Sequence, residues 1–167
     1  MKTNYTSTTL QSVVLIALRF LIGWHLLYEG FSKVANPGWS SIGFLKESKW
    51  ILEGFSKWVV ANKGVLSAVD FMNTWGLIAI GLGLILGLFI RTAALSGALL
   101  LFIYYLSNPP LIGLEYSVPM EGNYLVVSKT LIESVALLVI VLFPIGYDFG
   151  LDGIVAQLFR RLRKEKN

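Results

Sequence analysis

Long apolar runs alternate with short polar segments along the chain. The runs are of a length that crosses a hydrocarbon core of about 30 Å at about 1.5 Å per helical residue. They predict transmembrane helices over residues 11–33, 71–90, 92–107 and 123–143. The predicted fold is an all-α integral membrane protein, in which residues 1–167 form a single domain built on a four-transmembrane-helix bundle.

The first apolar run has a competing interpretation as a cleaved signal peptide. Such a peptide needs a basic leader, a short apolar stretch without charges and a small-residue cleavage site. Here the leader has only Lys2, and the run contains Arg19, His25 and Glu29. No A-x-A sequence follows, so the pattern favours a retained helix.

Two segments outside these runs have amphipathic patterns. Residues 40–60 follow the helix-breaking Asn36-Pro37-Gly38 and predict a helix lying along the external membrane surface. Its apolar face consists of Phe44, Ile51, Leu52, Phe55, Trp58 and Val59. This helix is expected to be either a lid over a site or an anchored loop. Residues 151–164 predict a short amphipathic helix at the cytoplasmic surface.

Composition supports the membrane class and excludes several chemistries. The chain is 55% hydrophobic and only 14% charged, and it contains no cysteine and a single histidine. Disulfides, thiolate metal sites, iron–sulfur clusters and CxxC redox chemistry are therefore excluded, and no metal site is expected. A redox role would need a bound organic cofactor or a partner.

Charge distribution predicts the orientation. Five of the fourteen Lys and Arg residues lie in the last eight residues, which favours a membrane-surface tail over a nucleic-acid site. The short turn between the second and third runs carries Arg91, whereas the loop after the third carries no Lys or Arg. The positive-inside rule then places both termini in the cytoplasm of a bacterial or archaeal cell, and the lysines of residues 40–63 oppose this weakly.

Charged residues inside the apolar runs are candidates for function, because ionisable groups are costly in a membrane. At 100° per residue, Arg19, His25, Glu29 and Lys33 share an arc of about 120° on the first helix. Gly23 and Gly30 lie beside that arc and suit close packing on another helix. The four glycines of the second run suit helix packing or dimerisation; they are Gly76, Gly81, Gly83 and Gly87.

Lys129 and Glu133 are four residues apart and share a face of the fourth predicted helix. The depth of each residue in the membrane is counted at about 1.5 Å per residue from the predicted outer end of its helix, and this count predicts a pair between Arg19 and Glu133. The same count pairs Glu29 with Lys129, leaves His25 between the pairs, and lets Lys33 extend to the surface. Arg91 is expected to pair with Asp148 or Asp152, and Asp152 to cap the tail helix.

Two interpretations of this polar cluster stay open. The pairs either fix the register of the helices or surround a polar pocket in the outer half of the bilayer. Such a pocket could hold a quinone headgroup or a small anion, and His25 could exchange a proton there, since its unperturbed pKa is near 6.5.

Three stretches resemble the DoxX-like membrane proteins. The first helix has the pattern R-x-x-x-G-x-x-x-x-x-E-G-x-x-K, and GLGLILGLFIRTAAL covers residues 81–95. Residues 121–153, EGNYLVVSKTLIESVALLVIVLFPIGYDFGLDG, resemble the end of the DoxD branch. That branch is similar to the membrane subunit of thiosulfate:quinone oxidoreductase. The resemblance implies four membrane helices, cytoplasmic termini, a quinone and a partner subunit.

The functional hypothesis is therefore a quinone-linked oxidoreductase subunit. Its expected catalytic residues are His25, Glu29 and Glu133, and its expected quinone-binding residues are Arg19, Lys33 and Lys129. The alternatives are a non-enzymatic membrane anchor that assembles a partner, and a small-solute transporter, for which four helices are few unless the protein oligomerises.

Overall fold

The computed structural model describes residues 9–111, 113–114, 116, 125–143 and 150–152. Every regular element in these ranges is helical, apart from one isolated bridge residue. The helices are α1 (Thr9–Val34), α2 (Ile42–Lys46), α3 (Glu53–Ala61), α4 (Lys63–Leu86), α5 (Ile90–Ser107) and α6 (Lys129–Leu142). A single 3-10 turn, Trp50–Leu52, precedes α3.

Three of these helices, α1, α4 and α5, are long and apolar enough to cross a membrane. The prediction of an all-helical fold with helices that could span a membrane is confirmed for the described residues, and α1 matches its predicted range within two residues. Two helices start at other residues than the predicted spans. Helix α4 begins at Lys63 rather than residue 71. Helix α6 begins at Lys129, where the Ser128 side chain accepts a hydrogen bond from the Leu131 N–H. This helix has only 14 described residues, so the fourth membrane span stays a prediction.

Helices α1 and α4 pack so closely that a glycine of one helix contacts the backbone of the other. A Cβ placed on Gly81 would lie 2.6 Å from the backbone nitrogen of Leu27 and 2.7 Å from the carbonyl oxygen of Gly23. On Gly30, a Cβ would lie 2.6 Å from a side-chain carbon of Ile78. Close packing at Gly23 and Gly30 is thereby confirmed, and Gly81 serves packing within the chain, whereas Gly76 faces open space.

The hydrophobic core lies between α1, α4, α5 and α6. Leu26, Leu84, Ala94 and Leu137 are almost wholly buried within it. The Ser134 hydroxyl of α6 donates to the Ala98 carbonyl of α5 at 2.8 Å. This bond satisfies a buried hydroxyl and fixes the register of the two helices.

The turn between α4 and α5 is closed by a residue from the C-terminal region. Gly87 and Phe89 have left-handed backbones, with φ of 67° and 50°. The Asp152 carboxylate accepts from the N–H groups of Phe89 (3.0 Å) and Ile90 (3.3 Å). Asp152 therefore caps α5, because its carboxylate reaches the free N–H groups at the start of that helix. The predicted cap of the tail helix involves residues that the structure does not describe. Asp148 and residues 153–164 lie outside the described residues.

Residues 40–60 do not form the single helix that their pattern predicts. Helix α2 ends at Lys46, Lys49 is extended and Trp50 is left-handed with φ of 73°. The predicted apolar face divides accordingly: α3 buries Val59 together with Ser56, and leaves Phe55 and Trp58 exposed.

Candidate functional site: a polar cavity at one end of the bundle

A cavity of about 440 Å³ lies where α1 and α5 end and α6 begins. We call this end of the bundle the Lys33 end, and the end with the α4–α5 turn the Gly87 end. Leucines from three helices, Leu26, Leu77 and Leu101, form an apolar part of its wall. Polar residues from α1, from the segment after α2, from α5 and the residues after it, and from the start of α6 line much of the rest. The volume is in the range of small-molecule sites, which are mostly apolar with a few polar groups.

His25 and Glu133 form an ion pair or a neutral hydrogen bond across two helices. Nδ1 of His25 lies 3.1 Å from Oε2 of Glu133, and the two side chains are 29% and 16% exposed. Glu133 was expected to pair with Arg19. That pairing is wrong: Glu133, about one turn after the start of α6, bonds to His25, whereas Arg19 lies about 9 Å further along α1, at the Gly87 end.

Glu29 and Lys33 pair with each other on α1. Lys33 Nζ donates to Glu29 Oε2 at 3.0 Å and lies 5.3 Å from the centre of the Trp39 ring. The Lys33 side chain is only 13% exposed, so the expectation that it extends to the surface is wrong. The pattern placed Glu29 with Lys129, but the ion pair seen is within α1, since residues i and i+4 are neighbours on a helix.

Helix α6 contributes its first residues to the cavity. Lys129 and Thr130 line the wall together with Ser128, whose hydroxyl lies 2.8 Å from that of Thr130. Four of the six residues that the sequence singles out line the cavity: His25, Glu29, Lys33 and Lys129. A fifth, Glu133, bonds to His25.

Arg19 does not belong to the cavity. Its side chain is 5% exposed, and its guanidinium lies against the Gly87 turn near Asp152. Arg19 is six residues, or about 9 Å, beyond His25 towards the Gly87 end. Within the described part of the chain, its Nε and Nη1 have no hydrogen-bond partner. A quinone-binding role for Arg19 would need contact with the cavity, which this placement does not provide.

Other residues of the cavity were not predicted. The Tyr104 hydroxyl donates to Asn73 Oδ1 at 2.9 Å, and the Tyr104 ring meets the Phe44 ring edge-on. Tyr116 also lines the cavity, and partial burial raises the pKa of its phenol. Uncharged aromatic residues in an apolar run give no signal in the sequence, because their pattern equals that of ordinary core residues.

The comparisons with models of protein families, with curated proteins and with solved structures find no match. Chemically, the cavity offers one imidazole oriented by a carboxylate, two ammonium groups, several hydroxyls and an apolar surface. This set can bind a flat, mostly apolar molecule with polar oxygens, and it can exchange a proton with it.

Proposed function

We propose that this chain is the quinone-binding membrane subunit of a redox complex. The observation that supports the proposal is the cavity with leucines on one part of its wall and the His25–Glu133 pair on another. The resemblance to DoxX-like proteins also supports a quinone-linked function. In this proposal the chain crosses a bacterial or archaeal cytoplasmic membrane four times, with both termini in the cytoplasm and the cavity in the outer half of the bilayer.

A quinone headgroup fits the composition of the cavity. Leu26, Leu77 and Leu101 suit the faces of an apolar ring, and the Tyr104 and Phe44 rings offer stacking surfaces. Lys129 and the Ser128 and Thr130 hydroxyls carry donors for ring oxygens. Lys33, held by Glu29, adds a second cation at the Lys33 end. When bound, a quinone supplies a couple of two electrons and two protons.

His25 is the proton-exchanging group in this proposal. Its Nδ1 is engaged by Glu133, so Nε2 is the ring nitrogen available to a ligand in the cavity. The Glu133 carboxylate orients the ring and stabilises the imidazolium, as a carboxylate behind a histidine commonly does. We assign Glu29 the role of holding Lys33, in place of the catalytic role expected from the sequence.

The electrons come from a donor that this chain does not contain. A partner subunit would carry the oxidation of the donor, for which the resemblance suggests a sulfur oxyanion such as thiosulfate. The chain itself has no cysteine and encodes no cofactor-binding motif that would take part in that step.

The first test is equilibrium binding of a short-chain ubiquinone analogue to the purified protein in nanodiscs. We expect saturable binding that His25→Gln weakens roughly tenfold, equivalent to about 1.4 kcal/mol. The matched control is Lys57→Gln, which removes an ion pair with Glu53 on α3, away from the cavity. Absence of saturable binding, or equal binding by the two variants, would contradict the proposal.

A second measurement separates the proposal from its alternatives. Purification from the native membrane, followed by mass spectrometry of bound proteins and lipids, should recover both a quinone and a redox partner. Recovery of a partner without quinone would instead indicate an anchor or assembly subunit. Accumulation of a solute in proteoliposomes without any partner would indicate a transporter.

A further inference from the structure

The segment between α1 and α3 runs along the cavity. Gly43, Phe44 and Glu47, on and just after α2, form part of the cavity wall. We call residues 39–49 the strap. It contains one short helix, α2, and is attached to the rest of the protein by hydrogen bonds near its two ends and by the buried side chain of Leu45 between them.

The first end of the strap is held by one carboxylate. Asp70 of α4 accepts from the Ser40 hydroxyl at 2.7 Å, from the Ser41 N–H at 2.8 Å, and also from the Ser41 hydroxyl. Three donors from two adjacent residues thus converge on a single side chain. Hydrogen bonds to an ionised acceptor are the strong ones, so this attachment depends on Asp70.

The second end of the strap is held by backbone. The Ser107 carbonyl at the end of α5 accepts from the Lys49 N–H at 3.0 Å and from the Ser48 hydroxyl at 3.1 Å. Trp50 follows directly with its left-handed backbone, an uncommon conformation for a bulky residue. This end is therefore a fixed point next to a sharp bend.

The middle of the strap contacts the cavity wall through one aromatic side chain. The centre of the Phe44 ring lies 5.6 Å from that of Tyr104 at an interplanar angle of 61°. The neighbouring Gly43 has open space where a side chain would be. The middle also carries Leu45, which is only 9% exposed, so movement of the strap would expose this leucine.

We propose that the strap is a gate on the cavity and that Asp70 is its latch. Release of Ser40 and Ser41 from Asp70 lets the first half of the strap move away, with Gly38 and Trp50 as pivots, while Ser107 keeps the second end in place. Phe44 leaves Tyr104 in this movement and opens a path to the cavity. Asp70 acts as a positioning residue, and the gate requires the cavity but not that its ligand is a quinone.

The test uses the absence of cysteine from the chain. Thr130→Cys places one thiol on the cavity wall, opposite the strap and on a different element. The rate of its reaction with a membrane-impermeant maleimide is measured in nanodiscs. Adding Asp70→Asn should raise this rate roughly tenfold, because the amide loses the charge and one of the two acceptors.

Two further variants are compared in the Thr130→Cys protein, one expected to open the strap and one expected to have no effect. Ser40→Ala with Ser41→Ala removes both hydroxyl donors while Asp70 stays, and should also accelerate labelling. Glu53→Gln removes a carboxylate in the adjacent exposed ion pair and should leave the rate unchanged. A separate Ser134→Cys reporter, buried between α6 and α5, should stay unreactive in all backgrounds and so excludes general unfolding.

The gate is refuted if Asp70→Asn and the double serine variant both label at the parental rate. It is also refuted if the Ser134→Cys reporter accelerates in parallel, because the variants would then act by loosening the whole protein. Labelling that responds as expected in a protein that binds no ubiquinone analogue would retain the gate and reject the quinone. The two proposals can therefore fail separately.

Discussion

Gly81 lies at the closest approach of α1 and α4, and this position has no room for a side chain. A Cβ there would lie 2.6 Å from the nitrogen and 2.8 Å from the Cα of Leu27, both backbone atoms that cannot rotate away. We expect Gly81→Ala to destabilise the protein by about 1–3 kcal/mol, the usual cost of overpacking. Thermal unfolding in detergent measures this. Gly76→Ala on the same helix meets open space and should not destabilise the protein, since alanine favours the helix over glycine, and a similar loss of stability there would show that packing is not responsible.

The His25–Glu133 contact makes a prediction about stability that does not depend on function. His25→Gln and Glu133→Gln should each destabilise the fold, and the double variant by less than the sum. A coupling of about 0.5–3 kcal/mol is usual for residues in direct contact. A double-mutant cycle of chemical unfolding measures it. The control cycle combines His25→Gln with Lys57→Gln, whose effects should add because the two residues are not in contact. If the effects of His25→Gln and Glu133→Gln also add, the contact between them does not contribute to stability.

At the level of single elements, α5 depends on a carboxylate that is distant in sequence. Asp152 accepts from the N–H groups of Phe89 and Ile90, while its own N–H donates to the Gly87 carbonyl. Asp152→Ala should therefore cost about 1 kcal/mol, as the loss of a helix cap does. Hydrogen exchange should accelerate in the first turn of α5 and remain unchanged in α3. Uniform acceleration along α5 would indicate a global effect rather than a lost cap.

The apolar pattern predicts the long helices well and their ends poorly. Helix α1 is predicted nearly to the residue, because its run is bounded by polar residues and by Asn36-Pro37-Gly38. Helix α4 extends eight residues before the predicted span, because the stretch from Lys63 to Asp70 contains no proline and its one glycine, Gly64, lies in the first turn. The bend at Trp50 has no local signal. It follows from contacts of the strap with Ser107, which lies 57 positions further along the chain.

For the whole molecule, the shared helix face could be predicted and the pairing of its charges could not. Periodicity alone places His25, Glu29 and Lys33 on one side of α1, and all three line the cavity. Pairing also required the position of a second helix against α1, which periodicity does not provide. The sequence pairs Glu133 with Arg19 by opposite charge, whereas the structure pairs it with His25, which lies nearer in depth.

The number of membrane crossings gives the last prediction. Helix α6 has 14 residues and is about 21 Å long, shorter than a hydrocarbon core of about 30 Å. The apolar residues Leu125, Val126 and Val127 precede it, and the Val126 carbonyl accepts from the Tyr105 hydroxyl at 2.9 Å. Non-helical backbone at membrane depth is tolerated when it is bonded to protein in this way. We therefore expect these residues to complete a fourth crossing.

Four crossings place both ends of the chain on the same side, whereas three place them on opposite sides. Single cysteines at Ser7, Lys63 and Asn167 of this cysteine-free chain distinguish the two arrangements in right-side-out vesicles. An impermeant maleimide should label Lys63→Cys directly, and should label the other two only after permeabilisation. Direct labelling of Asn167→Cys but not of Ser7→Cys would mean that α6 does not cross. The cavity, which α6 lines with Lys129 and Thr130, would then no longer be enclosed by four membrane helices.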